Sequence, residues 1–206
     1  MQAPGTGLNL PQDQKIIFVP GQVDNDASIK LGGDNMTATD LLSIVRADNP
    51  QSYIIFKPHP DVISGQRPGL CDQKLAEQSA DLYTANTPVN LLVDACDEVH
   101  TISSLTGFEA LLRGKKVHCY GLPFYAGWGL TQDRKTCARR TRKLSLAALV
   151  AGTLIKYPRY FDPVSKLPCS PELVIRRIQE QRINPIAPSF LIRCRSAYGK
   201  LRSHWR

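Results

Sequence analysis

The chain has 206 residues, 42% of them hydrophobic, and a formal net charge of +8. That is enough apolar chain for one packed domain with an appendage, and the charge favours an anionic partner such as a nucleotide phosphate, an acidic sugar or a membrane surface. No apolar stretch is long enough to cross a bilayer, and there is no zinc-finger spacing, RNP motif or aromatic–basic interleaving of the kind that reads nucleic acid.

The first 14 residues, rich in Gly, Pro, Asn and Gln, read as a flexible lead-in without the pattern of a signal peptide. Residues 15–20 (KIIFVP) form a short, nearly continuous apolar run, as expected of a strand covered on both faces. The following GQVDNDASIKLGG reads as a polar, turn-rich loop holding Gln22, Asp24, Asp26 and Ser28. Open α/β sheets place ligands just beyond the C-terminal ends of such strands. A helix is predicted over 39–48, capped by Thr37 or Thr39, and a second buried strand over 53–57 (YIIFK).

That strand runs into Pro58-His59-Pro60-Asp61. The two prolines stiffen the turn and remove two backbone donors, so His59 is held at a strand end. Residues 62–86 are less regular and close on a short strand in DLYTAN. Residues 88–95 read as a helix with Pro88 near its first position.

Residues 97–131 organise the chain: strand, tight turn, helix, strand, loop. Ser103 and Ser104 stand where the helix begins, Phe108, Ala110, Leu111 and Leu112 form its apolar face, and Gly114 ends it. A helix N-terminus after a strand offers free N–H groups and a positive dipole end, which favour phosphate. Glu109, about one and a half turns in, can reach a ribose diol. An ordinary N-cap on a packing helix carries the same signature. Residues 116–120 (KVHCY) start the next strand, and the glycine- and aromatic-rich loop 121–131 can wrap a ligand or dock on another lobe. Helices follow over 144–156 and 171–182, and from residue 183 the chain reads as a basic tail. Alternation of apolar strands and helices predicts an α/β fold with a Rossmann-like, mostly parallel sheet.

The six cysteines lack paired spacing, and Cys96 and Cys119 lie in core-like contexts, which fits reduced, buried thiols rather than disulfides or zinc. The acids are not clustered with histidine along the chain, so no metal is expected.

Taken together, KIIFVPGQVDNDASI, FKPHPDV, VHTISSLTGFEALLRGKKVHCYGLPFYAGWGLT and KYPRYFDP resemble the bacterial capsule polysaccharide β-Kdo transferase family over residues 15–182. The string PFYAGWGL is the most specific part. The resemblance implies the nucleotide-sugar-binding lobe of a GT-B glycosyltransferase, over residues 15–160, with a helical extension to 182. It implies CMP-Kdo as donor substrate, no cofactor, and transfer of Kdo to a lipid-linked acceptor. By that resemblance His59 and Pro60 match a His-Pro motif. Ser103 and Ser104 match the serine motif that holds the CMP phosphate, with Thr106 beside them. Glu109 falls where GT-B enzymes often bind ribose, and the loop of Gln22, Asp24 and Asp26 faces the transferred sugar. The family is regarded as retaining, which suits a carboxylate nucleophile, Asp26 before Asp24.

Two GT-B lobes need more chain than 206 residues, so the expectation is a partial module: a fragment, a truncated gene product, or a lobe whose acceptor-side partner comes from elsewhere. The expected location is cytoplasmic, with peripheral association at the inner-membrane face through the basic tail. The alternatives are a non-catalytic partner in capsule assembly or export, and another CMP- or UDP-sugar enzyme on the same fold.

Overall fold

The structure, a computed structural model, describes residues 8–70 and 72–183. The expectations for the basic tail and for Cys71 and Cys194 lie outside these residues. Two compact units divide between Leu144 and Ser145.

In the first unit the strands are β1 (Ile16–Pro20), β2 (Tyr53–Lys57), β3 (Leu82–Tyr83), β4 (Glu98–Thr101), β5 (Lys116–Cys119) and β6 (Gln132–Asp133). All pair in parallel, in the order β3-β2-β1-β4-β5-β6. This is the strand order of a dinucleotide-type Rossmann sheet. The order reverses between β1 and β4, which opens a crevice at their C-terminal ends. The helices are α1 (Ala27–Gly32), α2 (Ala38–Asp48), α3 (Pro60–Ile63), α4 (Gln73–Ala76), α5 (Val89–Ala95) and α6 (Leu105–Leu112).

Period-two alternation within the buried strands splits the core into two layers. Ile17, Val19, Ile54 and Phe56 join Leu41, Leu42 and Val45 of α2 in one apolar cluster. Their neighbours Phe18, Ile55, Val99 and Val117, in register with one another, point the other way, towards the layer of α5 and α6. Full burial of each such side chain is worth about 1.5–3 kcal/mol. Leu10, in the predicted lead-in, is also buried. Helix α2 starts on a capping box: the Thr37 hydroxyl accepts from Asp40 N, and the Asp40 carboxylate accepts from Thr37 N at 2.9 Å.

Helices α3 and α4 stand where a turn and a less regular stretch were expected, and α1 and β6 also differ from the sequence expectation. The loop after β1 contains α1, whose N-cap is Asp26, with the carboxylate accepting from Ser28 N. Its single buried apolar residue, Ile29, gives no helical periodicity to read. Strand β6 has two exposed residues and no apolar signal. Cys96 and Cys119 are buried free thiols, as predicted, and burial pushes both up to about 12.

The second unit opens with α7 (Leu146–Val150), capped by the Ser145 hydroxyl. It widens into a π-helical segment, Ala151–Lys156, where one regular helix was predicted. Helix α8 (Pro171–Ile183) follows. Between them the buried Asp162 accepts from Val164 N, Ser165 N and Arg177 Nε (3.2, 3.1 and 3.1 Å). The Arg177 bond leads the contacts that hold its carboxyl far below the usual carboxylate range. No helix among the described residues is long and apolar enough to cross a membrane.

Candidate functional site

The site assembles at the C-terminal rim where the strand order reverses. After β1 the chain turns at Gly21, whose N–H donates to Lys57 O at 2.7 Å. A Cβ at Gly21 would lie 2.9 Å from both Lys57 O and Pro58 Cα, so only glycine lets the two strand ends approach this closely. Gln22 then spans the switch point. Its Oε1 accepts from Thr101 Oγ1, Ile102 N and Ser103 N (3.0, 3.1 and 3.1 Å), and its Nε2 donates to Ser103 Oγ at 3.1 Å. Gln22 therefore fixes the β4–α6 turn from across the crevice.

His59 is the N-cap of α3, and its Nδ1 accepts from Asp61 N at 3.1 Å. An accepting Nδ1 sets the neutral ring's proton on Nε2, leaving that edge as a donor. Ser104 is the N-cap of α6. Its hydroxyl accepts from Thr106 N at 3.2 Å, and its own N–H donates to Thr101 Oγ1 at 3.0 Å. His59, Pro60, Ser104 and Thr106 line one depression of about 190 Å³, together with Lys57 and Gly21. The ends after β1, β2 and β4, parallel neighbours in the sheet, share this rim. Lys57, missed in the sequence reading, also lines this depression. Burial lowers its pKa, and Nζ donates to Ala85 O.

Ser103 faces a second depression, of about 440 Å³, with Ser28, Phe124, Cys137, Arg139 and Arg140 among its lining residues. Thus the Ser103–Ser104 pair serves two adjoining hollows. The Asp26 carboxylate accepts from the Ser28 hydroxyl at 2.8 Å, and Ser28 Oγ lies 2.9 Å from Ser103 Oγ. Arg67 Nη1 lies 3.6 Å from the other Asp26 oxygen. The Ser28 backbone and hydroxyl bonds, and then Arg67 and His59, lower the Asp26 pKa, so it is an anion at neutral pH. Asp24 differs: burial raises its pKa, partly opposed by a hydrogen bond from the Ala38 backbone at the start of α2. Glu109 is half-buried within α6 and lines neither depression.

The aromatic loop after β5 is a built support. Tyr125 is fully buried and donates its hydroxyl to Ser104 O, against Gly107, where any side chain would collide with that hydroxyl. Phe124 packs on Phe108 of α6, ring centroids 5.0 Å apart. Arg140 donates to Pro123 O and Ala126 O at 2.6 Å and lies over the Trp128 ring. These contacts fix the start of α6, and the sequence signal for them was the glycine–aromatic string itself.

The profile of the capsule polysaccharide biosynthesis protein family matches residues 3–160. The chain belongs to that family. It is 55% identical over 152 residues to the capsule polysaccharide modification protein LipA of Neisseria meningitidis serogroup B, covering 73% of this chain and 22% of LipA. It is 44% identical over 151 residues to the lipopolysaccharide-processing protein LpsZ of Rhizobium meliloti, covering 73% of this chain and 34% of LpsZ. Among solved structures it resembles the β-Kdo 2,7 transferase of Thermosulfurimonas dismutans KpsC, with a TM-score of 0.76 and 42% identity over 84% of this chain and 55% of that one. The β-Kdo 2,4 transferase of the same KpsC gives a TM-score of 0.70 and 32% identity, covering 82% of this chain and 53% of that one. The chain thus spans about a fifth to a third of the two named relatives and about half of the solved chains.

Proposed function

We propose that this chain carries the donor-binding lobe of a GT-B β-Kdo transferase and binds CMP-Kdo at the β1–β4 switch point. The observation that carries this reading is the shared depression of His59, Ser104 and Thr106 at the head of α6. Family membership and the likeness to the KpsC transferases support it.

The donor's phosphodiester docks at the α6 N-terminus. The positive dipole end, the Ser103, Ser104 and Thr106 hydroxyls, His59 Nε2–H and Lys57 offset the charge that grows as CMP departs. The Asp26 carboxylate attacks the anomeric carbon, the bond from that carbon to the phosphate oxygen breaks, and CMP leaves with the electron pair. An acceptor hydroxyl then displaces the carboxylate and releases its proton, regenerating Asp26 with the anomeric configuration retained. Asp26 is preferred over Asp24 because it stays ionised and is tied through Ser28 to Ser103, whereas Asp24 is occupied at the start of α2. Glu109 remains a candidate for the ribose, reached only if the nucleoside runs along α6. On this reading a separate lobe binds the lipid-linked acceptor. The net charge of +8 supports peripheral contact with an anionic inner-membrane face.

A thermal-shift series with CMP, CMP-Kdo and UDP tests the reading. CMP and CMP-Kdo raise the melting temperature, and UDP at equal concentration does not. Equal shifts with CMP and UDP would favour another nucleotide-sugar enzyme on this fold. No shift with any of the three would remove the donor-site reading.

A further inference from the structure

On the α2 side of the sheet, away from the α6 layer, three polar side chains gather where an apolar layer would be usual. Glu98 and His100 alternate along β4, and His118 of β5 stands in register with His100. The sequence reading saw no acid clustered with histidine; strand pairing brings these three together. The Glu98 and His100 side chains are 9% and 3% exposed, and that of His118 is 22% exposed. The imidazoles stack, with centroids 4.1 Å apart and planes 13° apart.

We propose that Glu98, His100 and His118 form a binding site for a divalent transition metal of the zinc type, binding through Glu98 Oε2, His100 Nε2 and His118 Nε2. One potential ligand atom of each residue lies within 4.8 Å of those of the other two. Both nitrogens are 3.3 Å from Oε2. A tetrahedral ion with bonds of about 2.0 Å has edges of about 3.3 Å, so two of the three edges already fit. The stacked rings hold their in-plane lone pairs nearly parallel, so binding requires rotation of the His118 ring, the most exposed of the three, which turns its Nε2 towards the ion and closes the third edge.

The hydrogen-bond accounting points the same way. His118 Nε2 is buried and makes no hydrogen bond. As an N–H it is an orphaned donor. As a lone pair it faces a carboxylate oxygen, which repels it. A cation bound there would take up that lone pair and would replace the 3.3 Å hydrogen bond between His100 Nε2 and Glu98 Oε2 and the Lys15 contact to the same oxygen.

The surroundings of the site suit a metal. The Tyr120 hydroxyl is 3.0 Å from His100 Nδ1, so it can accept from Nδ1–H and orient Nε2 as a ligand. Lys116 Nζ donates to Glu98 Oε1 at 2.9 Å, leaving Oε2 for the ion. Lys15 Nζ, 3.3 Å from Oε2, is the competitor: its side chain is 40% exposed and can swing out. The ligand set of two imidazoles and one carboxylate suits zinc or cobalt(II) and leaves a fourth position for water. Bound there, the ion cross-links β4 to β5, the strands that lead into the Ser103–Ser104 turn and the aromatic loop. This role is independent of the donor reading.

The test uses the whole chain, stripped with a chelator and then titrated with cobalt(II) or zinc alone. One equivalent of cobalt binds with the visible absorption of a tetrahedral ion, zinc displaces it, and zinc raises the melting temperature. His118→Val, checked for folding by circular dichroism, weakens binding by about tenfold or more. Lys15→Met tightens it by removing the competitor, and Cys137→Ser leaves it unchanged. Absence of stoichiometric binding would overturn the site, as would retention of full affinity in His118→Val. If His118→Val does not fold, Lys15→Met decides: unchanged or weaker binding in that variant refutes the proposal.

Discussion

The hydroxyls of Ser28 and Ser103, 75 residues apart in sequence, lie 2.9 Å from each other across the mouth of the β1–β4 crevice. That contact links the Asp26 cap of α1, through Ser28, to the serine pair that opens α6.

Asp26→Asn separates chemistry from binding. Asparagine is as good an N-cap as aspartate, so α1 and its Ser28 bond survive. A neutral amide can neither attack the anomeric carbon nor stabilise a cation-like centre. In a protein that includes the acceptor lobe, the variant loses Kdo transfer while CMP affinity changes by less than about twofold, measured by turnover and calorimetry side by side. Loss of transfer in Asp24→Asn with Asp26→Asn active would move the role to Asp24.

Gln22→Ala tests the staple. Removing Oε1 leaves Ile102 N and Ser103 N without their acceptor, and each buried donor left unpaired costs about 1–3 kcal/mol. Urea unfolding should show a loss of about 2 kcal/mol or more, together with weaker CMP binding. Unchanged stability would mean that water replaces the side chain at no cost.

Gly107→Ala tests the aromatic support. The added methyl meets the Tyr125 hydroxyl, so either the bond to Ser104 O breaks or α6 shifts. Overpacking of this kind costs about 1–3 kcal/mol. Tyr125→Phe removes the hydroxyl, so in the double variant the penalty of Gly107→Ala shrinks. A double-mutant cycle with no coupling would place the strain elsewhere.

Asp162 sets an acid limit for the second unit. Its folded pKa lies below the unfolded value, so its stabilisation is present above the ordinary carboxylate range and is lost as the pH falls towards the folded value. Opening of residues 160–180, followed by hydrogen exchange corrected for the intrinsic amide rate at each pH, should therefore accelerate on acidification, beginning once the pH falls below the ordinary carboxylate pKa. In Asp162→Asn it is fast already at neutral pH and loses that acid dependence. The same acid dependence in both proteins would assign the effect to another group.

Much of the fold was legible because burial on both faces leaves an unmistakable trace: IIFVP and YIIFK can be little else but central parallel strands. The rim position of His59 followed from the Pro-His-Pro turn, and that of Ser103–Ser104 from a strand running directly into a helix. What stayed hidden has physical reasons. Helix α1 buries only Ile29, so its stretch reads as a polar loop although Asp26-Ala-Ser is a workable cap. The staple by Gln22 depends on β1 and β4 being neighbours, which no local pattern encodes. The Glu98–His100–His118 cluster depends on β4–β5 register; alternate polar positions at 98/100 and 116/118 were the available signal. Glu109 looked suited to a ribose by its distance along the helix, yet the structure leaves it outside both hollows.

The most direct test of the donor site is a crystal structure of the chain with CMP, compared with calorimetric titration of His59→Ala. The account predicts the phosphate at the head of α6, within hydrogen-bond reach of the Ser103 and Ser104 hydroxyls and of His59 Nε2, and a Kd weakened about tenfold or more in a folded His59→Ala variant, the loss expected for a hydrogen bond to a charged group. CMP bound at any other face of the sheet, or an unchanged Kd in His59→Ala, would contradict it.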